Sequence, residues 1–265
     1  MACSGGGILN SYGKTITLIC PTRGRLEGVR RLLNSINRTA ADFHNFELVF
    51  IYDTDDGPTK DALNNYKDEY TAIEMHIHVR PHDDNLSDAY YNWAWRQKLL
   101  HGDYYWVTGN DVVMVTDGWD TRVIHAMEQY LANSRSRVCC AFAADVSTNK
   151  PYLGFNWGWF PIFTKEAVQT VGYLFPKEYP TSTADVWMAK MYSAAGCYLE
   201  IPTVQIDTIS HRTYKGVPID NIARSMGARD RQANPRKAAF RNRGYAIGVD
   251  RLREALNGNR ALQTG

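Results

Sequence analysis

The chain has 265 residues, a formal charge of +2, and 44% hydrophobic and 12% aromatic residues. This length allows one large domain or two small ones, with enough apolar residues for a sizeable core. The balanced charge excludes bulk electrostatic attraction to a partner, and no apolar run approaches the ~20 residues that would cross a membrane. The N-terminal residues also lack the basic and apolar regions of a signal peptide. We therefore expect no membrane partner and a cytoplasmic protein.

The cysteines support the same expectation. There are five of them, without Cys-x-x-Cys or Cys/His zinc spacing. Such cysteines are typical of small buried hydrophobes in a reducing compartment.

Strand and helix patterns alternate over the first 108 residues. A strand over 15–20 precedes a helix whose apolar residues recur at i, i+3, i+4 and i+7, namely Val29, Leu32, Leu33 and Ile36. The next predicted elements are a strand over 48–52, a helix over 58–69, a half-exposed strand over 73–79, a helix over 86–100 and a strand over 103–108. This order predicts an α/β fold with a mostly parallel, Rossmann-like sheet flanked by helices.

The pattern loosens after residue 118. Its predicted elements are a helix over 118–133, a strand over 137–143, an aromatic segment over 152–160, helices over 164–171 and 183–194, and a strand over 197–206. Residues 221–260 contain ten lysines and arginines against three acidic residues. Val249, Leu252 and Leu256 indicate that part of this region is helical. We predict a main domain over 1–218 and a basic, partly helical C-terminal extension over 219–265.

Two common phosphate-binding signatures do not fit. Gly7 and Gly13 are separated by five residues where a P-loop requires four, and they precede the first strand. No Gly-x-Gly-x-x-Gly follows a predicted strand, which argues against a dinucleotide-binding dehydrogenase.

Polar residues instead follow the predicted strands. The turn over 21–25 leaves the first strand and opens a helix, so its amides and arginines suit an anionic ligand or a base. Asp53, Asp55 and Asp56 end the second strand and suit a cation, a ribose or an amide. An ordinary βα turn and a solvated acidic turn remain the alternative interpretations.

Gly109, Asn110 and Asp111 follow the aromatic strand over 103–108. A carboxylate at the end of a buried strand lies on the functional edge of an open α/β sheet. There it can hold a divalent cation that neutralises a diphosphate. An Asx turn that only ends the strand is the alternative.

The run from Gly102 to Asp111, followed by Thr116 to Asp120, comes after the turn over 21–25 and the acidic end of the second strand. This order resembles the nucleotide-sugar glycosyltransferases of the GT-A fold. It is most similar to the family-2-like group and to small glycosyltransferases of bacteriophages. The resemblance spans roughly 15–215 and makes 1–218 a GT-A domain. It implies a metal-dependent transferase with Mn²⁺ or Mg²⁺, a nucleotide-sugar donor (a UDP-sugar foremost) and, for a viral protein, the host cytoplasm.

The resemblance also assigns ligands. The nucleotide-sugar would be bound by Pro21, Thr22, Arg23, Arg25, Asp53, Asn92 and Asn110. Asp111 and His211 would bind the metal, although the family has an acidic residue where this chain has Asn110. An amide oxygen and one carboxylate can still hold Mg²⁺ or Mn²⁺, because phosphates and waters complete the shell. Helix capping by Asn92 and packing by His211 are the alternatives.

The resemblance places a catalytic base at Asp185. In inverting members a carboxylate at a helix start, after an aromatic segment, takes the acceptor proton. Asp185 is the only acidic residue between Glu178 and Glu200. The alternative is an aspartate favoured there by the helix dipole.

The acceptor is predicted from two features. Trp157 and Trp159 suit the stacking of a sugar or base, and Arg236 and Arg241 belong to a basic cluster typical of a polyanion binder. With the phage resemblance, these features suggest a hydroxymethylated base in double-stranded phage DNA, flipped out of the duplex. Core aromatics and a solvated tail are the alternatives for the residues. A polysaccharide, lipid-linked sugar or protein acceptor, or a non-catalytic nucleotide-sugar or nucleic-acid-binding module, are the alternatives for function.

Overall fold

A computed structural model describes residues 11–134, 136–147, 159–180, 184–208 and 234–258, with side chains of the last range from residue 243 onward. Its strands are β1 (Ile16–Pro21), β2 (Phe46–Asp53), β3 (Met75–Arg80), β4 (Tyr104–Val107), β5 (Val112–Met114), β6 (Cys140–Asp145), β7 (Pro161–Thr164) and β8 (Tyr198–Thr208). Its α-helices are α1 (Leu26–Thr39), α2 (Gly57–Glu69), α3 (Trp93–Arg96), α4 (Trp119–Ala132), α5 (Lys165–Val171), α6 (Ala184–Ala195) and α7 (Asn234–Gly258). A 3-10 turn (Phe43–Asn45) and a π-helical segment (Leu86–Asn92) complete the described elements.

The eight described strands form one sheet in the order β3-β2-β1-β4-β7-β6-β8-β5. The first four are parallel, as the alternating pattern predicts. The prediction of a mostly parallel sheet is confirmed in part: six of the eight described strands run in one direction, whereas β7 is antiparallel to β4 and β6, and β5 is antiparallel to β8. β5 and β7 have only three and four residues, and neither is marked by an aromatic run like that of β4. The fold is therefore α/β with a mixed sheet.

Helices cover both faces of the sheet. Leu18, Phe50 and Trp106 face one core, which contains the apolar stripe of α1 and side chains of α2 and α4. Their neighbours Ile19 and Ile51 face the other core, which contains the π-helical segment, α5, α6 and α7. The predicted stripe of α1 is confirmed, since all four of its members are fully buried.

One predicted helix has a different form. The segment 86–100 contains the seven-residue π-helical segment followed by the single-turn α3. Lys98 then adopts a left-handed conformation, with φ of 58°, which ends the helix. The side chain of Asn92 is bonded to the backbone of Leu174 and Phe175, a tertiary contact that local periodicity does not reveal.

α7 lies within the predicted C-terminal extension and packs against α5 and α6. Leu252 is fully buried, and Arg251 and Arg253 donate to the carbonyls of Val171 and Ala194 at the ends of α5 and α6. Arginines in such positions satisfy the last carbonyls of a helix. Two basic residues of the extension therefore stabilise helix ends. The predicted boundary between 218 and 219 lies outside the described residues.

Two bulk expectations can be compared with the fold. The four cysteines that the structure describes are buried and free. None of the described helices has the length and apolarity to span a membrane.

Candidate active site at the carboxyl edge of the sheet

The topology gathers the predicted site residues at one edge of the sheet. β1, β2, β4, β6 and β8 point the same way, and their carboxyl ends define the carboxyl edge. The antiparallel strands β5 and β7 begin at this edge, so the segments before them also reach it. α6 precedes β8 and therefore starts on the same side. In open α/β sheets this edge is where ligands bind.

Asp53 ends β2 and is almost fully buried, with 1% of its surface exposed. Its Oδ2 accepts from Arg23 at 2.6 Å and lies 2.8 Å from Nδ1 of His82. Its Oδ1 accepts from the Tyr90 hydroxyl. Burial, and then the hydrogen bond to Asp53, raise the pKa of Tyr90, so its hydroxyl remains a donor. Sequence reasoning missed His82 and Tyr90, which become neighbours of Asp53 only through the fold.

The turn after β1 is fixed by the acidic turn after β2. Asp56 caps α2 through the Thr59 amide and also accepts from the Gly24 amide at 3.0 Å. Gly24 has a φ of +64°, which glycine adopts without strain. Arg23 donates to Asp55 at 2.5 and 2.9 Å. The interactions of Arg23 and Asp56 tie the two predicted nucleotide-binding turns together, and Arg25 lies half-buried at the start of α1.

The turn over 109–111 packs directly on the turn after β1. Nδ2 of Asn110 donates to Oγ1 of buried Thr22 at 2.9 Å, so the amide oxygen faces away from Thr22. A Cβ on Gly28, in the first turn of α1, would lie 2.2 Å from the Asn110 carbonyl oxygen. Only glycine permits this approach. The predicted donor residues Pro21, Thr22, Arg23, Asp53 and Asn110 thus lie at adjacent turns of one edge.

The Asp111 carboxylate and the Phe160 ring leave no room for a side chain at position 109. A Cβ on Gly109 would lie 2.7 Å from Oδ1 of Asp111 and 3.3 Å from the Phe160 ring. Burial, and then the charge of Asp111, raise the pKa of the Cys20 thiol. The Tyr91 hydroxyl has its pKa raised by burial, with smaller contributions from Cys20 and Asp111. A half-buried carboxylate is an oxygen ligand that suits Mg²⁺ or Mn²⁺, and the preceding residue, Asn110, carries an amide oxygen of the same kind.

A second carboxylate that sequence reasoning missed lies near this edge. Asp145 ends β6 and is 7% exposed, and its Oδ1 accepts from the amide of Thr208 at the end of β8. Thr208 in turn pairs with Val112, the residue after Asp111. Burial and the charge of Asp145 raise the pKa of Asp207. The sequence signal would have been an aspartate that ends an apolar strand.

The π-helical segment joins the donor side to the predicted acceptor side. Tyr90 donates to Asp53, and Tyr91 donates to the carbonyl of Thr108 at 2.9 Å. On the other side, Ser87 donates to Tyr179, and Asn92 binds the backbone of residues 174 and 175. Asn92 is 2% exposed and anchors the segment that leads toward α6. These hydrogen bonds to the backbone account for an asparagine at position 92, whether or not it also binds the nucleotide-sugar.

Asp185 lies in the first turn of α6 and is 7% exposed. The helix begins on the side of the carboxyl edge. Trp159 is 37% exposed and precedes Phe160, whose ring lies beside the turn over 109–111. Trp157 and His211 lie outside the described residues. Arg236 and Arg241 lie in α7, in the part whose side chains are not described.

No protein-family model and no curated protein sequence matches this chain. Solved structures do match it. The mannosyltransferase PcManGT from Pyrobaculum calidifontis, in complex with GDP-Man and Mn²⁺, is 15% identical with a TM-score of 0.62, over 95% of this chain and 76% of that one. TarS 1-349 from S. aureus, in complex with UDP, is 12% identical with a TM-score of 0.52, over 73% of this chain and 60% of that one.

GalNAc-T7 with UDP, GalNAc and Mn²⁺ is 12% identical with a TM-score of 0.54, over 76% of this chain and 44% of that one. The chain therefore spans less than two thirds of the TarS and GalNAc-T7 chains. At these identities the likeness concerns the fold. The expected similarity to the GT-A nucleotide-sugar glycosyltransferases is confirmed at that level.

Proposed function

We propose that this chain is a metal-dependent, inverting glycosyltransferase that moves a sugar from a nucleotide-sugar donor to an acceptor hydroxyl. One observation carries the proposal. The turn after β1 is bonded to the turn after β2 and to the turn after β4, so Asp53, Thr22, Asn110 and Asp111 all lie at the carboxyl edge. Three neighbours of the same fold were solved with GDP-Man, UDP or UDP and GalNAc, two of them with Mn²⁺.

In this proposal the nucleoside lies against the turn over 21–25 and Asp53. Arg23, His82 and Tyr90 hold the carboxylate of Asp53 in one orientation, which lowers the entropy cost of binding a hydroxyl or a base edge. The exposed part of Arg23 and the amides at the start of α1 suit a phosphate. Two of the three neighbours contain UDP, which favours a UDP-sugar as donor.

Asp111 would hold the metal, with His211 as the second protein ligand and with phosphate oxygens and waters as the other ligands. Mn²⁺ or Mg²⁺ held there would supply positive charge to offset the negative charge of the departing diphosphate. The turn over 109–111, which contains Asp111, is held by the hydrogen bond from Asn110 to Thr22 and by its close contact with Gly28. These contacts fix the backbone of the turn that carries Asp111.

Asp185 acts as the base in the transfer step. The acceptor oxygen forms a bond to the anomeric carbon, the bond from that carbon to the diphosphate oxygen breaks, and the acceptor proton passes to the Asp185 carboxylate. Attack from the face opposite the diphosphate inverts the anomeric centre. The π-helical segment connects Asp53 to the backbone of Phe175 through the hydrogen bonds of Tyr90 and Asn92, and Asp185 lies in the first turn of the following helix, α6.

For the acceptor we propose a hydroxymethylated base in phage DNA, bound as duplex. The basic residues of 221–260 support this proposal, with Arg236 and Arg241 on the phosphates and Trp157 and Trp159 against the flipped base. Arg251 and Arg253 do not contribute, because they bond to helix ends. Arg243, which is exposed, is the first described side chain of this segment that is available to DNA.

A donor screen tests the proposal. UDP- and GDP-sugars are each incubated with the protein and Mn²⁺, with hydroxymethylated duplex DNA, unmodified duplex, polysaccharide or no acceptor, and released nucleotide and labelled product are measured. We expect Mn²⁺-dependent transfer to hydroxymethylated DNA that weakens steeply as salt rises. Transfer to polysaccharide alone would overturn the DNA acceptor but keep the transferase. No turnover with any donor, together with unchanged thermal stability in UDP and Mn²⁺, would overturn the transferase.

Matched variants locate the metal. Asp111→Asn removes one negative charge at the proposed metal site, and Asp117→Asn removes one from an exposed position a few residues further along. We expect Asp111→Asn to abolish the Mn²⁺-dependent part of nucleotide binding and Asp117→Asn to leave it unchanged. Equal effects of the two substitutions would contradict a metal at Asp111.

A further inference from the structure

A cluster of three possible metal ligands lies at the amino edge of the sheet, away from the proposed active site. Glu47 is the second residue of β2, His76 is the second residue of β3, and His101 precedes β4. One side-chain donor atom from each of the three lies within 4.8 Å of the other two. The three residues come together through the parallel pairing of β1, β2, β3 and β4. The sequence around each of them indicates a strand and does not reveal the cluster.

The cluster is separate from the edge where the diphosphate metal is proposed. Glu47 and Asp53 belong to the same strand and are six residues apart, which is about 20 Å in an extended chain. His101 and Asp111 flank β4 in the same way, one before the strand and one after it. A single cation cannot serve both places, so the amino-edge cluster is a second centre.

The distances from Glu47 to the two histidines are slightly shorter than those between ligands of one ion. Oε2 of Glu47 lies 2.9 Å from Nδ1 of His101 and 3.2 Å from Nε2 of His76. Ligand atoms bound at about 2.0–2.2 Å in a tetrahedral shell are roughly 3.3–3.6 Å apart. A few tenths of an ångström of side-chain movement would admit the ion between the carboxylate and the two imidazoles.

The carboxylate is also held in place by a second set of partners. Oε1 of Glu47 accepts from the Thr17 hydroxyl at 2.5 Å and from the His101 amide at 2.8 Å. Thr17 in turn accepts from the Gly102 amide at 2.9 Å. Such outer contacts orient metal ligands and are a regular part of built sites. Glu47 is only 7% exposed, whereas His76 and His101 are open enough to solvent for a metal to enter and for water to complete the shell.

We propose that Glu47, His76 and His101 bind one Zn²⁺-class ion, with water as the fourth ligand. Two imidazoles and one carboxylate are a borderline N/O donor set that suits zinc and that the harder Mg²⁺ does not favour. The ion joins the start of the edge strand β3 to the start of β2 and to the loop before β4. It therefore fastens an edge of the sheet and takes no part in sugar transfer.

Zinc titration of the chelator-treated protein tests this assignment. His76→Ala and His101→Ala each remove one ligand, and His44→Ala removes an exposed histidine outside the cluster. We expect wild type and His44→Ala to bind one more equivalent of Zn²⁺ than the cluster variants bind. The affinity of that equivalent should fall at least about 10–100-fold in either variant, the loss known even for outer-shell partners. Zn²⁺ at a hundredfold excess over Kd should raise the Tm of wild type by about 5–10 °C.

A second measurement needs only the wild-type chain, so it is independent of whether the variants fold. Histidine-selective acylation is mapped by peptide mass spectrometry with and without Zn²⁺. We expect the metal to protect His76 and His101 and to leave His44 reactive. Equal modification of all three with and without Zn²⁺, or equal zinc stoichiometry in wild type and cluster variants, would overturn the site and leave only a glutamate–histidine hydrogen-bond cluster. Asp111→Asn should retain this zinc equivalent, which keeps the test separate from the proposed transferase.

Discussion

β2 carries a buried acid at each end, and the two ends differ in their partners. Asp53 at the carboxyl edge is bonded to Arg23, His82 and Tyr90. Glu47 at the amino edge lies between His76 and His101. Arginine keeps its charge at all relevant pH values and repels a cation, whereas neutral histidine binds one.

The comparison separates two kinds of acid that look alike in a sequence. At the carboxyl edge, Asp53 shares Arg23 with Asp55, and we propose that Asp53 binds the nucleoside while Asp111 holds the metal. At the amino edge, Glu47 is paired with two histidines, and we propose that it is a metal ligand. The following experiments test this division.

The largest effect is expected at the start of α6. Asp185→Asn removes the proposed base and keeps the size of the side chain, so kcat should fall about 10²–10⁴-fold. The Kd for nucleotide and Mn²⁺ should stay unchanged. The control is Glu166→Gln, which changes the acidic residue in the first turn of α5. Near-normal turnover of Asp185→Asn would show that the base is another group.

Gly28→Ala tests the rigid contact at the carboxyl edge. The new Cβ would lie 2.2 Å from the Asn110 carbonyl and must displace the turn over 109–111. We expect a loss of about 1–3 kcal/mol in unfolding free energy and at least a tenfold weaker Mn²⁺-dependent nucleotide affinity. Gly57→Ala is the control, because its Cβ meets no atom within 4 Å. Unchanged nucleotide binding in Gly28→Ala would separate this turn from the donor site.

Tyr90→Phe removes one donor from Asp53 without changing the ring. Losing a hydrogen bond to a buried carboxylate should cost about 1–3 kcal/mol in unfolding free energy and raise KM for the donor with little change in kcat. Tyr66→Phe removes a 3.3 Å hydrogen bond to the Leu26 carbonyl and should have a smaller effect. If chemical denaturation gave the same loss of unfolding free energy for both variants, the hydrogen bond that orients Asp53 would contribute little to stability.

The smallest effect is expected for Glu47 at the amino edge, on the pH dependence of stability when no metal is bound. Burial acts to raise the pKa of Glu47, but hydrogen bonds from Thr17 and His101 bring it below the ordinary value of 4.5. A lowered pKa stabilises the fold above the unfolded value, and this contribution is lost as pH falls through the folded value. In chelator, the stability difference between wild type and Glu47→Gln should therefore shrink as pH drops below about 4.5. A difference independent of pH would contradict the ionised carboxylate.

The sequence predicts the parallel half of the fold well because its signals are local. The stripe of α1 and the presence of the half-exposed strand β3 require no knowledge of distant residues, and both are confirmed. The strict apolar–polar alternation predicted for β3 is wrong, because Val79 is 47% exposed. The short strands β5 and β7 and the π-helical segment were missed, because they depend on pairing with β8 and β4 and on contacts of Asn92 with residues 174 and 175.

The same reason limits prediction of the sites. Asp53 and Asp111 follow apolar strands, and this position alone suggests them. His82, Tyr90 and Asp145 can be recognised as site residues only from the folded structure, in which the strands are aligned. Glu47 and His101 are 54 positions apart, so their contact follows from the β1–β2 and β1–β4 pairings.

The central claim is that the cation of the transferase lies at Asp111, at the carboxyl edge. A crystal of the protein with a nucleotide diphosphate and Mn²⁺, measured at the manganese absorption edge, tests it most directly. We expect an anomalous peak between the diphosphate and Asp111, about 2.0–2.6 Å from a carboxylate oxygen. Nucleotide bound with no peak near Asp111, or manganese found only between Glu47, His76 and His101, would contradict the account.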